Sequence, residues 1–202
     1  MIFSINEEEI KMSKLERVEY DEIPGLSIIE NFITKEEEKE LLNCIDKESW
    51  SNALKRRTQH YGYKYDYTTR SLPQKLDDLS KPWMKPVLTK LVETKIFPVC
   101  PEQIIVNEYT PGQGISKHID QPKIFGPIVA SLSLESPCIM TLESPQKVEY
   151  DLFLKPRSLL ILTGKSRYNW FHSIPSRKSD TVEGKIIPRE RRVSLTFRTV
   201  VK

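Results

Sequence analysis

From residue 103 onward the chain breaks into short β-branched and aromatic runs. QIIVNEY, PIVASLSL, CIMTL, VEYDLFL, SLLILTG and VSLTFRTV are each set off by turn residues. Several of them alternate apolar and polar side chains, as antiparallel strands do when one face meets a core and the other meets water. Strands in such a series must pair their edges. Two sheets folded face to face, as in an eight-stranded jelly roll, satisfy that need. The preceding part is different in kind. PGLSIIENFI reads as a turn and an apolar strand, and Thr34 with Glu37 forms a capping box at the start of a helix. Leu41, Leu42 and Ile45 supply that helix with a buried face, and a second helical piece lies near residues 78 to 95, started or broken by its prolines. The predicted fold class is therefore α+β, with a jelly-roll core buttressed by N-terminal helices. One domain is expected over residues 15–202, after a disordered extension at 1–14.

A chain of 202 residues suits one domain, and a net charge of +3 permits a phosphate-bearing partner without demanding one. Cys44, Cys100 and Cys138 are widely spaced and form no C-x-x-C, so neither a zinc knuckle nor a disulfide framework is suggested. No apolar run approaches the ~20 residues that span a bilayer. The acidic start, MIFSINEEEIKMSK, lacks the apolar segment of a secretory signal. The expectation is a soluble monomer of the cytoplasm or nucleus, without membrane contact.

The stretch YTPGQGISKHIDQPKIF holds His118 and Asp120, which would share one face if the segment ran as a strand. His172 follows the apolar run SLLILTG, and an antiparallel sandwich can return it beside residue 118. Two imidazoles and a carboxylate on one side of an ion form the facial triad of non-haem Fe(II) oxygenases. Zinc is the competing ion, although the helical H-E-x-x-H common in zinc hydrolases is absent. In RRVSLTFR, Arg192, Ser194, Thr196 and Arg198 fall on one strand face, with Val193, Leu195 and Phe197 on the other. Two guanidiniums turned into a sheet interior need anions, and a bound dicarboxylate would supply one through a bidentate fork.

NEYTPGQGISKHID, then His172, then RVSLTFR, in that order, resembles the AlkB family of Fe(II)- and 2-oxoglutarate-dependent dioxygenases. The resemblance runs from about residue 25 to 200 and is densest after 103. It implies a double-stranded β-helix, and His118, Asp120 and His172 as iron ligands. It further implies that Arg192 and Tyr109 bind the distal carboxylate of 2-oxoglutarate, while Asn107 and Arg198 steady its chelating end. Ser194 stands where some members carry Asn. Fe(II), 2-oxoglutarate and O2 would together hydroxylate a C–H bond, and a hydroxylated N-methyl group would leave as formaldehyde.

The stretch KRRTQHYGYKYDY places Tyr61, Tyr63, Tyr65 and Tyr67 at period two among cationic residues. Extruded bases stack on aromatic rings while Lys and Arg hold phosphates. The resemblance makes this region, near 52–72, a substrate lid, with Arg57, Tyr61 and Tyr63 as contacts. Arg167 and Tyr168 form a second candidate patch beside His172. Tyrosines packed on the sandwich and a solvated basic rim are the structural alternatives. Family members that repair alkylated bases usually carry an acid two places after the metal-binding Asp, where this chain has Pro122. GKSRYNWFHSIPSRKSDTV looks closer to members acting on tRNA wobble uridine, and HIDQPKIFGPIV to RNA N6-methyladenine demethylases. The expected substrate is modified nucleic acid, RNA or single-stranded DNA. A protein hydroxylase or demethylase on the same core is the alternative, and a metal-free binding module ranks third.

Overall fold

The computed structural model describes residues 15–76 and 79–201, so the extension expected at 1–14 lies outside the described residues. A major sheet holds β1 (Arg17–Glu19), β2 (Leu26–Ile29), β11 (Leu159–Leu162), β8 (Phe125–Glu135), β15 (Arg192–Val200), β6 (Gln103–Tyr109) and β3 (Arg57–Tyr61), in that spatial order. A minor sheet holds β10 (Glu149–Leu154), β9 (Cys138–Glu143), β12 (Phe171–Ile174) and β7 (Ile115–His118). Two hairpins stand apart, β4 (Tyr63–Asp66) with β5 (Ser71–Lys75), and β13 (Ser179–Val182) with β14 (Lys185–Pro188). Three helices complete the described chain: α1 (Lys35–Ile45), α2 (Lys85–Glu93), entered through a 3-10 turn at Pro82–Met84, and α3 (Gly164–Tyr168). The structure is thus mostly β, as a jelly roll requires.

The two principal sheets contain more strands than the eight expected. β1, β2 and β3 come from the N-terminal half and widen the major sheet. β3 is the informative case, because it lies in the stretch assigned to a lid. Its five residues pair antiparallel with β6, Arg57 opposite Glu108 and Tyr61 opposite Ile104.

Each face of the major sheet has its own core. On one side Leu41 and Ile45 of α1 and Val87, Leu88 and Leu91 of α2 pack with Ile104, Leu132, Val193, Leu195 and Phe197. On the other, Val129, Leu160 and Leu162 meet Met140, Leu142 and Ile174 of the minor sheet. Each such large side chain taken out of water contributes about 1.5–3 kcal/mol. Thr34 and Glu37 make the reciprocal capping box at α1, with bonds of 3.1 and 2.6 Å. Alternation along β15 therefore assigns Val193, Leu195 and Phe197 to the helix side. The intervening residues turn into the space between the sheets.

Candidate active site

Residues of both sheets line a cavity of about 680 Å³. Its lining includes His118, Asp120, His172, Arg192, Ser194 and Arg198. The two histidines meet across neighbouring strands, since β12 pairs with β7 with His172 directly opposite His118. Their ring centroids are 4.3 Å apart. It is β12, not the apolar β11, that brings His172 back.

Asp120 arrives differently from expectation. β7 ends at His118, so the shared-face argument for a strand does not reach residue 120. Its carboxylate is held instead by Arg198, with Nε 3.1 Å and Nη2 2.9 Å from Oδ1. The other oxygen, Oδ2, lies 3.8 Å from His172 Nε2. Burial opposes ionisation of Asp120, but the Arg198 guanidinium outweighs it and holds the carboxyl well below the usual range. Burial, reinforced by His118, pushes the His172 imidazolium down to about 3, leaving a neutral ring. His118 Nδ1 lies 2.7 Å from the Ser116 carbonyl. With the proton on Nδ1, that bond leaves the Nε2 lone pair free.

As the side chains stand, these contacts are pairwise. Among the described residues no group of three His, Cys, Asp or Glu side chains is disposed to hold a metal ion. The chemistry of the set still suits one, because an ionised carboxylate and neutral imidazoles are the forms that ligate. His60, the third histidine, stands elsewhere. Its Nδ1 accepts from the Tyr65 amide at 3.1 Å, and burial lowers it to about 4.

Arg192 carries the clearest demand for a ligand. It is 3% exposed, and its Nη2 donates to Ser133 Oγ at 2.8 Å. Nε and Nη1 are buried with no hydrogen-bond partner. A buried guanidinium with idle Nε–H and Nη1–H donors is costly, and a ligand carboxylate that accepts from it would relieve that cost. Tyr109 lies opposite Arg192 across β6, with the guanidinium carbon 5.4 Å from its ring centroid. Burial raises the Tyr109 hydroxyl, which stays a neutral donor. Asn107 faces Ser194 in the same register, and its Oδ1 accepts from Arg56 Nε at 2.9 Å. Arg198 completes its bonding through Nη1 to Gln103 Oε1 at 2.8 Å. The residues thus fit 2-oxoglutarate best at its distal carboxylate.

The expected substrate contacts need correction. Tyr61 is 3% exposed and belongs to the helix-side core, edge-on to Trp83, with its hydroxyl donating to Gln59 at 2.8 Å. Arg57 binds Glu108 bidentately at 2.5 and 2.7 Å and stacks on Trp50. Arg167 is 2% exposed and donates to backbone carbonyls. Tyr63 is half-buried and does not line the cavity, and Tyr168 is exposed beneath the Arg167 guanidinium.

For the tyrosine run the reason is Gly62, at φ +75, where a Cβ would stand 1.9 Å from the Glu102 carbonyl oxygen. The ribbon bends there and leaves the major sheet, so the alternation does not carry through. Beyond the bend Tyr65 and Tyr67 face the cavity, with Arg56 and Arg70. Tyr65 lies 5.1 Å from Tyr67 and 5.8 Å from Phe125, centroid to centroid. A glycine interrupting an alternating run is the one local signal of this break.

The model of the 2OG-Fe(II) oxygenase superfamily matches residues 48–198. An uncharacterized protein of Acanthamoeba polyphaga mimivirus is 37% identical over 88% of this chain and 86% of its own length. The Arabidopsis thaliana alkylated DNA repair protein ALKBH8 homolog is 38% identical over 88% of this chain, which spans 59% of that protein. The Mus musculus tRNA (carboxymethyluridine(34)-5-O)-methyltransferase ALKBH8 is 35% identical, and this chain spans 30% of it. The solved structure of OsALKBH1 superposes with a TM-score of 0.61 at 19% identity, covering 91% of this chain and 100% of that one. Motif order, fold and these likenesses together place the chain in the 2OG-Fe(II) oxygenase superfamily, as a member of the AlkB family of dioxygenases that use Fe(II), 2-oxoglutarate and O2.

Proposed function

We propose that the chain oxidises modified nucleic acid, RNA before single-stranded DNA, at a base carrying an uncharged modification. His118, Asp120 and His172 hold the iron in this reading. Arg192 and Tyr109 bind the distal carboxylate of 2-oxoglutarate, while Asn107, Ser194 and Arg198 border its other end. Fe(II) with 2-oxoglutarate and O2 supplies hydroxylation of a C–H bond, coupled to decarboxylation of the cosubstrate to succinate. A hydroxylated N-methyl group then leaves as formaldehyde.

The observation that carries the reading is the composition of the cavity wall. Tyr65 and Tyr67 offer aromatic rings, and Arg56 and Arg70 offer positive charge, at the same cavity. Flat bases stack on such rings while cations take the phosphates. Among the described lining residues Asp120 is the sole carboxylate, and Arg198 already neutralises it. The wall therefore gives a cationic methylated base no anionic partner, and Pro122 lines it where an acid could have stood. That the target is a modified nucleic acid is supported by the names of relatives, a Mus musculus tRNA (carboxymethyluridine(34)-5-O)-methyltransferase at 35% identity and a Caenorhabditis elegans DNA N6-methyl adenine demethylase at 29%.

The test incubates the protein with Fe(II), ascorbate and 2-oxoglutarate. Its substrates are oligonucleotides bearing N6-methyladenine, 5-substituted uridine or 1-methyladenine, with methylated peptides as the contrasting arm. Mass spectrometry should find oxidation of the uncharged bases at least tenfold above that of cationic 1-methyladenine. Preferential oxidation of 1-methyladenine would overturn the charge argument. Oxidation of peptides alone would move the chain to protein substrates.

A further inference from the structure

Arg167 bears a cation almost wholly removed from water, yet its hydrogen bonds go to main-chain carbonyls. Nη1 donates to Asp120 O at 2.7 Å, Nη2 to Phe125 O at 3.2 Å and Nε to Gly126 O at 3.2 Å. These carbonyls lie in and just past the loop joining β7 to β8, whose own turn bonds run from the Ile124 and Phe125 amides to Gln121 O. Asp120 is thereby held by two guanidiniums, Arg167 on its backbone and Arg198 on its carboxylate.

The side chain that makes this clamp is itself tied down. It sits on α3, where the Ser166 amide donates to Pro24 O at 3.0 Å and the Thr163 amide to Gly25 O at 2.9 Å. Only Tyr168 to Phe171 separate Arg167 from His172. One short segment therefore delivers one histidine to the cavity and grips the loop that delivers the aspartate. A lysine, with one compact ammonium on a flexible stem, cannot span three divergent carbonyls as a planar fork does.

We propose that Arg167 is a positioning residue that sets the spacing between Asp120 and His172, and thereby the metal affinity of the site. This rests on the reading of His118, Asp120 and His172 as ligands. Groups that orient ligands from behind typically change metal affinity about 10- to 100-fold when removed.

The experiment titrates metal-free protein with Mn(II), an air-stable probe, and follows the free ion by electron paramagnetic resonance without cosubstrate or substrate. Thermal unfolding is recorded alongside. Arg167→Met should remain folded at the titration temperature and bind Mn(II) at least ~10-fold more weakly, with Arg167→Lys in between. Leu91→Ala, in the α2 core, should lower the melting temperature yet keep the parental affinity. Parental Mn(II) affinity in folded Arg167→Met, or equal loss in Leu91→Ala, overturns the proposal. Failure of both Arg167 variants to fold also overturns it, because it assigns the side chain to the fold alone. Asp120→Ala separates the two levels. If it too binds Mn(II) normally, the ligand reading fails; if it alone loses binding, only the role of Arg167 fails.

Discussion

Three arginines near the cavity show how one side chain takes different parts according to its partners. Arg198 spends its fork on Asp120 and Gln103, and Arg167 spends its own on carbonyls. Arg192 keeps two donors buried and idle. An unmatched guanidinium of this kind penalises the empty site and favours the ligand that fills it. Arg192→Met should therefore raise the KM for 2-oxoglutarate at least ~10-fold, given that a hydrogen bond to a charged group is worth about 1.5–3 kcal/mol. Mn(II) affinity should stay unchanged, because the side chain has no part in the His–Asp set. Succinate release at varied 2-oxoglutarate checks it, and an unaltered KM would place the cosubstrate elsewhere in the cavity.

At the level of elements, β15 is legible in the amino-acid sequence, and the lid is not. In β15 the apolar alternates and the polar alternates are both unbroken from Arg192 to Arg198, so a single register satisfies every residue. His118 and His172 are legible as partners because antiparallel strands place residues directly opposite, although β12 has no strand signature of its own. Asp120 sits in a loop whose shape depends on Arg167, a contact across 47 residues that no local pattern reveals. Tyr61 looks identical to Tyr65 in sequence, and Gly62 separates their fates. The hairpin residues can therefore be tested apart from the core. Replacing Tyr65 and Tyr67 by Ala should weaken binding of a modified oligonucleotide about 10-fold or more, since one base–aromatic stack is worth about 1–3 kcal/mol. Uncoupled turnover of 2-oxoglutarate should fall less than twofold. Fluorescence anisotropy and succinate release read the two, and parallel loss would make the hairpin part of the cosubstrate site.

For the molecule as a whole, two buried histidines build in a sensitivity to acid. His172 and His60 have pKa values held down to about 3 and about 4, chiefly by burial. In the unfolded chain each takes up a proton near pH 6.5, the value both depart from. Between that pH and about 4 the unfolded state binds more protons, so stability rises with pH across the interval. The metal-free protein should be most stable above pH 6.5 and lose melting temperature steadily as the pH falls toward 4. His60→Gln should flatten that slope, because it removes one of the two groups. A melting temperature constant from pH 7 to 4.5 would mean that both rings are protonated in the fold.

The bend at Gly62 bears on how such a molecule could diversify. The hairpin beyond it pairs its strands only with each other, while the ribbon before it is stitched into the major sheet. Exchange of residues 63–75 for a foreign hairpin would thus leave the barrel's cohesion to the part that stays. Selectivity and scaffold can drift independently, with that one glycine as the seam.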